Sequence, residues 1–207
     1  MRPVPLVAVG IAALALPLAA CGGSGPSTTA ASKTRAPAGA APAGAADPNA
    51  PEVVSPGDIP DNQAFVPYTP PDAAYSIKVP EGWARSTSDG AVTFTDKYNS
   101  IEARSRPAPA APTVASVKAS GLADVSSEPT FKLGKVTAVT RKAGVGVLAT
   151  YTIGSTPNSV TGKKALLAVE RYEFGHNGTT VVLTLSGAKG ADNVDPWRIV
   201  SDSLTWT

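Results

Sequence analysis

Apolar and polar side chains alternate along most of the chain beyond residue 73. Tyr75, Ile77 and Val79 alternate with Ala74, Ser76 and Lys78, the two-residue period of a half-buried strand. Pro80-Glu81-Gly82-Trp83 then makes a turn followed by a large apolar anchor. Val92 and Phe94, and next Ile101 and Ala103, repeat the period, with residues 96–99 as their hairpin connection. Pro107, Pro109 and Pro112 interrupt strand pairing. Over 113–125 the period lengthens: Val114, Val117, Gly121 and Val125 fall at spacings of 3, 4 and 4, behind Thr113 as a cap, so a helix is predicted.

Four further strands are predicted over 132–141, 145–154, 164–174 and 179–186. In the second, Val145, Val147, Ala149, Tyr151 and Ile153 share a face; in the fourth, Val181, Leu183 and Leu185 do. Leu166, Leu167 and Val169 place apolar groups on both faces, as does Val182, so the sheet is predicted to be at least partly covered on both sides. Asp195-Pro196 reads as an N-cap followed by proline at the first helical position, and Trp197, Val200 and Leu204 continue at helical spacing. Three strands, a helix, four strands and a helix with hairpin-length connections predict an α+β fold around an antiparallel sheet.

Residues 1–21 carry another pattern. Met1-Arg2 precedes an apolar run from Val4 to Leu18, shorter than the roughly 20 residues of a membrane span, and reads as a signal peptide. The run ends in Leu18-Ala19-Ala20-Cys21, the order of a bacterial lipobox. There the cysteine sulfur takes a diacylglyceryl group, and a peptidase that accepts small side chains cuts before it. Cys21 is the sole cysteine, which excludes an intrachain disulfide framework and multi-cysteine zinc sites. Lipidation of Cys21 would fasten the chain to the extracytoplasmic face of the cell membrane. Residues 22–64 then read as a disordered Pro/Ala/Gly linker, and 65–207 as the folded domain. Of the 20 prolines, 10 lie in residues 22–72, whereas all twelve aromatics lie at or beyond Phe65. Such a segment buries too little to offset an ordering entropy of roughly 1–2 kcal/mol per residue.

Charge narrows the functional classes. The formal net charge is +2 with 16% charged residues, so no nucleic-acid partner is indicated. No P-loop, dinucleotide fingerprint, calcium loop or G-x-S-x-G elbow occurs, and no cofactor, metal site or catalytic residue is assigned. His176 falls in a Gly-His-Asn-Gly turn, where Asn177-Gly178 suits a tight hairpin better than catalysis. Glu170 and Glu173 point to opposite faces of a regular strand, so they form no acid/base pair. Asp192 and Asp195 read as residues at a helix start. Trp83, Trp197 and Trp206 read as core anchors rather than sugar platforms. Arg104, Arg106, Lys163, Lys164 and Arg171 are candidates for a basic surface, with an ordinary solvated surface as the alternative.

Residues 74–83, with their Pro-Glu-Gly-Trp turn, resemble the opening strand of the PsbP/Mog1-like fold. Residues 196–206, ending Ser203-Leu204-Thr205-Trp206, resemble its last helix. With the lipobox and the Pro/Ala tether, the chain resembles actinobacterial LpqN/LpqT-type lipoproteins. The resemblance implies an α/β/α three-layer sandwich outside the plasma membrane and carries over no active-site residue. The expected function is a non-enzymatic, lipid-anchored binding or accessory module of the cell envelope, presented to an envelope protein partner. A carrier of an envelope lipid or glycolipid is the alternative, requiring an open apolar groove of at least about 300 Å³ between sheet and helix. A hydrolase is the remote one.

Overall fold

The computed structural model describes residues 57–71, 74–157 and 162–207. Cys21, the signal peptide and most of the linker lie outside them. Ten strands, two short helices and a π-helical turn follow in chain order: β1 (Phe65–Tyr68), β2 (Tyr75–Pro80), β3 (Ala84–Ser88), β4 (Ala91–Asp96), β5 (Asn99–Pro107), α1 (Val114–Ser116) running into the π turn (Val117–Gly121), β6 (Lys132–Arg141), β7 (Gly144–Gly154), β8 (Leu166–His176), β9 (Thr179–Ala188), α2 (Val194–Ser203) and β10 (Thr205–Trp206). A seven-stranded sheet runs β3-β4-β5-β9-β8-β7-β6, and a three-stranded sheet runs β1-β2-β10. Every pairing is antiparallel.

Register explains the apolar runs on both faces. Leu183 on β9 stands between Ala103 of β5 and Tyr172 of β8, and Val181 pairs with Phe174. These side chains pack under α2 and the small sheet, against Ile77, Val200 and Leu204. The opposite face places Val147, Ala149 and Tyr151 of β7 with Val169 of β8 beneath Val117 and Leu122 of the π turn and the turn after it. The sheet is therefore covered on both sides over part of its area. Helical cover is small: ten residues in α2, three in α1 and five in the π turn. Strands β1, β2 and β10 supply much of what the resemblance assigned to helices.

Three strands carry little sequence signal. All five residues of β3 are exposed, β1 includes Pro67, and β10 has two residues. The helix predicted over 113–125 does begin at Thr113, whose hydroxyl accepts the Ser116 N–H at 3.0 Å while Ser116 Oγ accepts the Thr113 N–H at 2.9 Å. It widens into the π turn within one turn, and Gly121 at the end of that turn lies against the sheet. A Cβ there would come within 2.6 Å of Glu173 Oε1. Val145, placed by its pattern on the buried face, is 71% exposed at the start of β7. The 96–99 connection shortens to two residues, since Asp96 pairs with Asn99. Asn177-Gly178 turns β8 into β9 with φ of 44° and 76°, as a tight hairpin requires. Trp206 belongs to β10 rather than to the last helix.

Candidate functional site

The chain reaches the domain through a knot of amides. Asn193, 4% exposed, accepts the Ile59 N–H at Oδ1 (2.8 Å) and donates from Nδ2 to Gly57 O (3.1 Å) and Asn99 Oδ1 (3.1 Å). Asn99 Nδ2 donates to the same Gly57 carbonyl at 3.0 Å. Gly187 on β9 makes room: a Cβ there would lie 2.7 Å from Asn193 Nδ2 and 2.8 Å from Asn99 Oδ1. Ile59 joins the core, so packing begins upstream of Phe65. This knot also corrects the start of α2. Asn193, not Asp195, precedes the helix and accepts the Trp197 N–H on its carbonyl at 3.0 Å. Its amide side chain is occupied by residues 57, 59 and 99. Asp195 lies in the first turn, where a carboxylate is favoured by the helix dipole. The backbone N–H of Asp192 donates to Asp58 Oδ1 at 2.9 Å, so Asp192 does lie at the helix start.

Beside the knot, a groove of about 440 Å³ opens between the sheet and the start of α2. Thr150, Thr152, Ala168 and Glu170 form its floor, and Trp197 and Val194 line the helix side. Leu133 and Lys132 stand at the rim on the edge strand β6. Val194 is 68% exposed and Leu133 49%. A β-bulge between Leu133 and Val136 shapes that rim, with Thr150 Oγ1 accepting the Lys135 N–H at 3.0 Å. Glu170 accepts the Tyr172 hydroxyl at 2.7 Å. Burial first, and then the hydrogen bond to Glu170 and its charge, raise the Tyr172 hydroxyl above its ordinary value of 10.0. The groove thus combines apolar walls, one carboxylate on the floor and one amine on the rim.

The other candidate residues are not brought together. Glu170 and Glu173 lie on opposite faces, as their spacing predicts: Glu170 lines the groove, and Glu173 is buried near Gly121. Glu173 accepts Arg106 at 3.1 Å through Oε2, while Oε1 has no partner among the described residues. Arg104 pairs with Glu102 at 2.6 Å, and Arg171 with Asp124 at 2.8 Å. These three arginines therefore form a neutralised ladder across β5 and β8 rather than a basic surface. Burial acts to lower the Arg171 guanidinium, but the hydrogen bond and charge of Asp124 carry it above its ordinary value. Burial likewise raises the Tyr151 hydroxyl. Lys163 and Lys164 are exposed. His176 is exposed at its hairpin and stacks on Trp206 at 5.2 Å. Trp197 is buried and meets Trp83 edge-on at 6.5 Å, and Trp206 donates from Nε1 to Ala143 O at 2.9 Å. All three tryptophans pack on the core.

Sequence reasoning missed Asn99, Asn193 and Gly187. A glycine inside a strongly apolar strand is the one signal that marks a close approach there. Among the described residues no group of three His, Cys, Asp or Glu could hold a metal ion, and no helix is long and apolar enough to cross a membrane.

This antiparallel α+β architecture has counterparts among solved structures. Cyanobacterial PsbP (CyanoP) from Synechocystis superposes with a TM-score of 0.51 at 15% identity, over 74% of this chain and 100% of that one. The Saccharomyces cerevisiae Ran-binding protein Mog1p gives 0.43 at 9% identity, over 68% and 87%. LpqN of Mycobacterium tuberculosis, described as involved in cell envelope biogenesis, gives 0.44 at 16%, over 71% and 92%. A Bacteroides thetaiotaomicron protein gives 0.45 at 12% over 68% of this chain, which spans about half (48%) of that longer one. No family model matches the chain, and no curated protein does. The CyanoP likeness shows the fold to be PsbP-like.

Proposed function

We propose that this chain is a non-enzymatic binding or accessory lipoprotein, anchored through Cys21 to the extracytoplasmic face of a bacterial cell membrane. In this reading it is an actinobacterial lipoprotein of the LpqN/LpqT type. Its domain is a reduced α/β/α sandwich in which α2 with the small sheet forms one outer layer and α1 with the π turn the other. The observation that carries the reading is Leu18-Ala19-Ala20-Cys21 at the end of an apolar leader, followed by a proline-rich tether. Arg104, Arg106 and Arg171 are held in ion pairs with Glu102, Glu173 and Asp124, while Glu170 lies on the other face of the sheet. Labelling cells with radioactive palmitate tests the anchor. Label should enter the wild-type chain and be lost in Cys21→Ala; equal label in both refutes the assignment.

A second reading is favoured by one observation, the groove beside α2, whose volume of about 440 Å³ exceeds the roughly 300 Å³ a small-molecule site needs. In that reading the domain carries an envelope amphiphile with its apolar part against Val194, Leu133 and Trp197. Native mass spectrometry of protein released gently from membranes should then show bound lipid. Repeatedly empty protein leaves only the protein-partner role.

A further inference from the structure

The seven-stranded sheet ends in two edge strands, and they differ. β3 is five residues long and offers a partner little to pair with. β6 is ten residues long and pairs on one side only, with β7. The start of β6 is guarded by the bulge between Leu133 and Val136, a common way of blunting an edge. From Val136 to Arg141 the pairing is regular, and Val136-Thr137-Ala138-Val139-Thr140 carries neither charge nor proline. Thr137 and Ala138 point to opposite faces of the sheet and both are exposed, so neither face covers the middle of the strand.

The turn sets the direction of the backbone groups. Arg141 pairs with Gly144 across Lys142 and Ala143, the hydrogen-bonded closing pair of a two-residue hairpin. Alternation then turns the N–H and C=O groups of Thr140, Ala138 and Val136 away from β7. The closing pair of the neighbouring hairpin, His176 with Thr179, fixes the same alternation independently through β8 and β7. The Thr140 carbonyl accepts the Arg141 guanidinium at 3.2 Å. For the three outward N–H groups no acceptor stands among the described residues.

The charges beside this edge share one sign. β6, β7 and their turn hold Lys132, Lys135, Arg141 and Lys142 and no Asp or Glu. Arg141 is engaged by Asp202, and Lys132 shares the groove beside α2 with Glu170. Lys135 and Lys142 are exposed and form no ion pair among the described residues. The recess past the turn, lined by Lys78, Lys142 and Arg198 against Asp195 and Asp202, is cationic too. These charges select the occupant. Antiparallel pairing with a second copy of β6 about its middle would set Lys135 opposite Arg141 or Lys142, and like charges directly opposite are unfavourable. An acidic strand meets the same positions with opposite sign.

We propose that β6 is a docking edge for an extended acidic segment of a protein partner, which adds as a further strand through main-chain hydrogen bonds to Val136, Ala138 and Thr140, with its carboxylates beside Lys135 and Lys142. This gives the binding-module reading a surface without resting on the anchor at Cys21. Failure of the palmitate label overturns the anchor alone, and failure of the peptide test overturns the edge alone.

The test uses the full chain carrying Cys21→Ser and three fluorescent peptides read by anisotropy: EETVTVEE, its charge-reversed form KKTVTVKK, and EETVTVEE N-methylated at its central Thr and Val residues. The first should bind, and the other two at least tenfold more weakly. Combining Lys135→Glu with Lys142→Glu should lower the affinity for EETVTVEE at least tenfold and make KKTVTVKK the tighter ligand. Saturating EETVTVEE should slow hydrogen exchange at the Ala138 and Thr140 amides at least tenfold. Ala138→Pro removes one outward N–H and leaves the pairing with β7 in place, so it should weaken EETVTVEE at least tenfold at unchanged circular dichroism. Absence of EETVTVEE binding overturns the proposal. Equal binding of the N-methylated probe also overturns it, because attraction without strand pairing is then enough. An unchanged charge preference in the double variant, wild-type affinity in Ala138→Pro, or protection that appears on β3 instead each does the same. Lys135 and Lys142 are exposed, so the charge-reversed variant keeps the fold and decides the matter even where the proline variant does not fold.

Discussion

Replacing Asn193 by alanine isolates the device that fixes the start of the domain beside the groove. The wild-type amide makes three hydrogen bonds in a buried setting, to Ile59 N, Gly57 O and Asn99 Oδ1. After truncation the Gly57 carbonyl keeps its bond from Asn99 Nδ2, but Ile59 N–H and Asn99 Oδ1 lose their partners. An orphaned buried polar group costs about 1–3 kcal/mol. Two such groups, softened by water entering the vacated space, give an expected loss of about 2–4 kcal/mol. Asn193→Asp sharpens the test. It keeps an acceptor for Ile59 N–H but sets carboxylate oxygen against Gly57 O and Asn99 Oδ1, so it should destabilise by at least as much as alanine. Urea unfolding followed by tryptophan fluorescence measures both variants, since Trp197 and Trp83 lie in contact nearby. Hydrogen exchange at the Ile59 amide should accelerate in both. A loss below about 1 kcal/mol for alanine, or a smaller loss for aspartate than for alanine, would refute the reasoning.

Three further predictions follow from the buried charges and hydroxyls. Glu173 is 4% exposed and Arg106 50%, so their bond is partly screened while the carboxylate carries the desolvation. Arg106→Met should therefore destabilise by about 1–2 kcal/mol and Glu173→Met by less, or not at all; the reverse order in urea midpoints contradicts the argument. Tyr172 has its hydroxyl raised above 10.0 in the fold, chiefly by burial, so its contribution is complete below about pH 10 and is lost as pH rises through the folded value. Tyr172→Phe should flatten the fall in urea midpoint between about pH 9 and pH 11, and parallel wild-type and variant curves would disprove that. Gly121→Ala should cost about 1–3 kcal/mol in the wild type because its Cβ meets Glu173 Oε1 at 2.6 Å, and much less in a Glu173→Met background; identical costs in the two backgrounds would remove the clash as the cause.

The strands that bury alternate residues were legible from period alone. Tyr75, Ile77, Val92, Phe94, Ile101, Leu183 and Leu185 all reach the core through the alternation their order displays. Legibility fails where a tertiary contact outweighs local preference. The α-helical winding gives way to the π turn after Ser116, where Gly121 packs against the buried carboxylate of Glu173, and nothing between residues 113 and 125 announces Glu173. Asn193 reads as an ordinary polar residue before a helix, since its partners are 94 and more positions away in the chain. The arginines invite a surface reading because strand alternation alone does not reveal which carboxylate faces them. Register brings the charges onto one face, with Arg104 and Glu173 both opposite Val182 and Glu102 and Arg171 both opposite Thr184, but the ion pairs themselves form along and diagonally across the strands and with Asp124 from the turn above. The groove beside α2 had no sequence signature of its own, because it is the gap left where a short covering element ends.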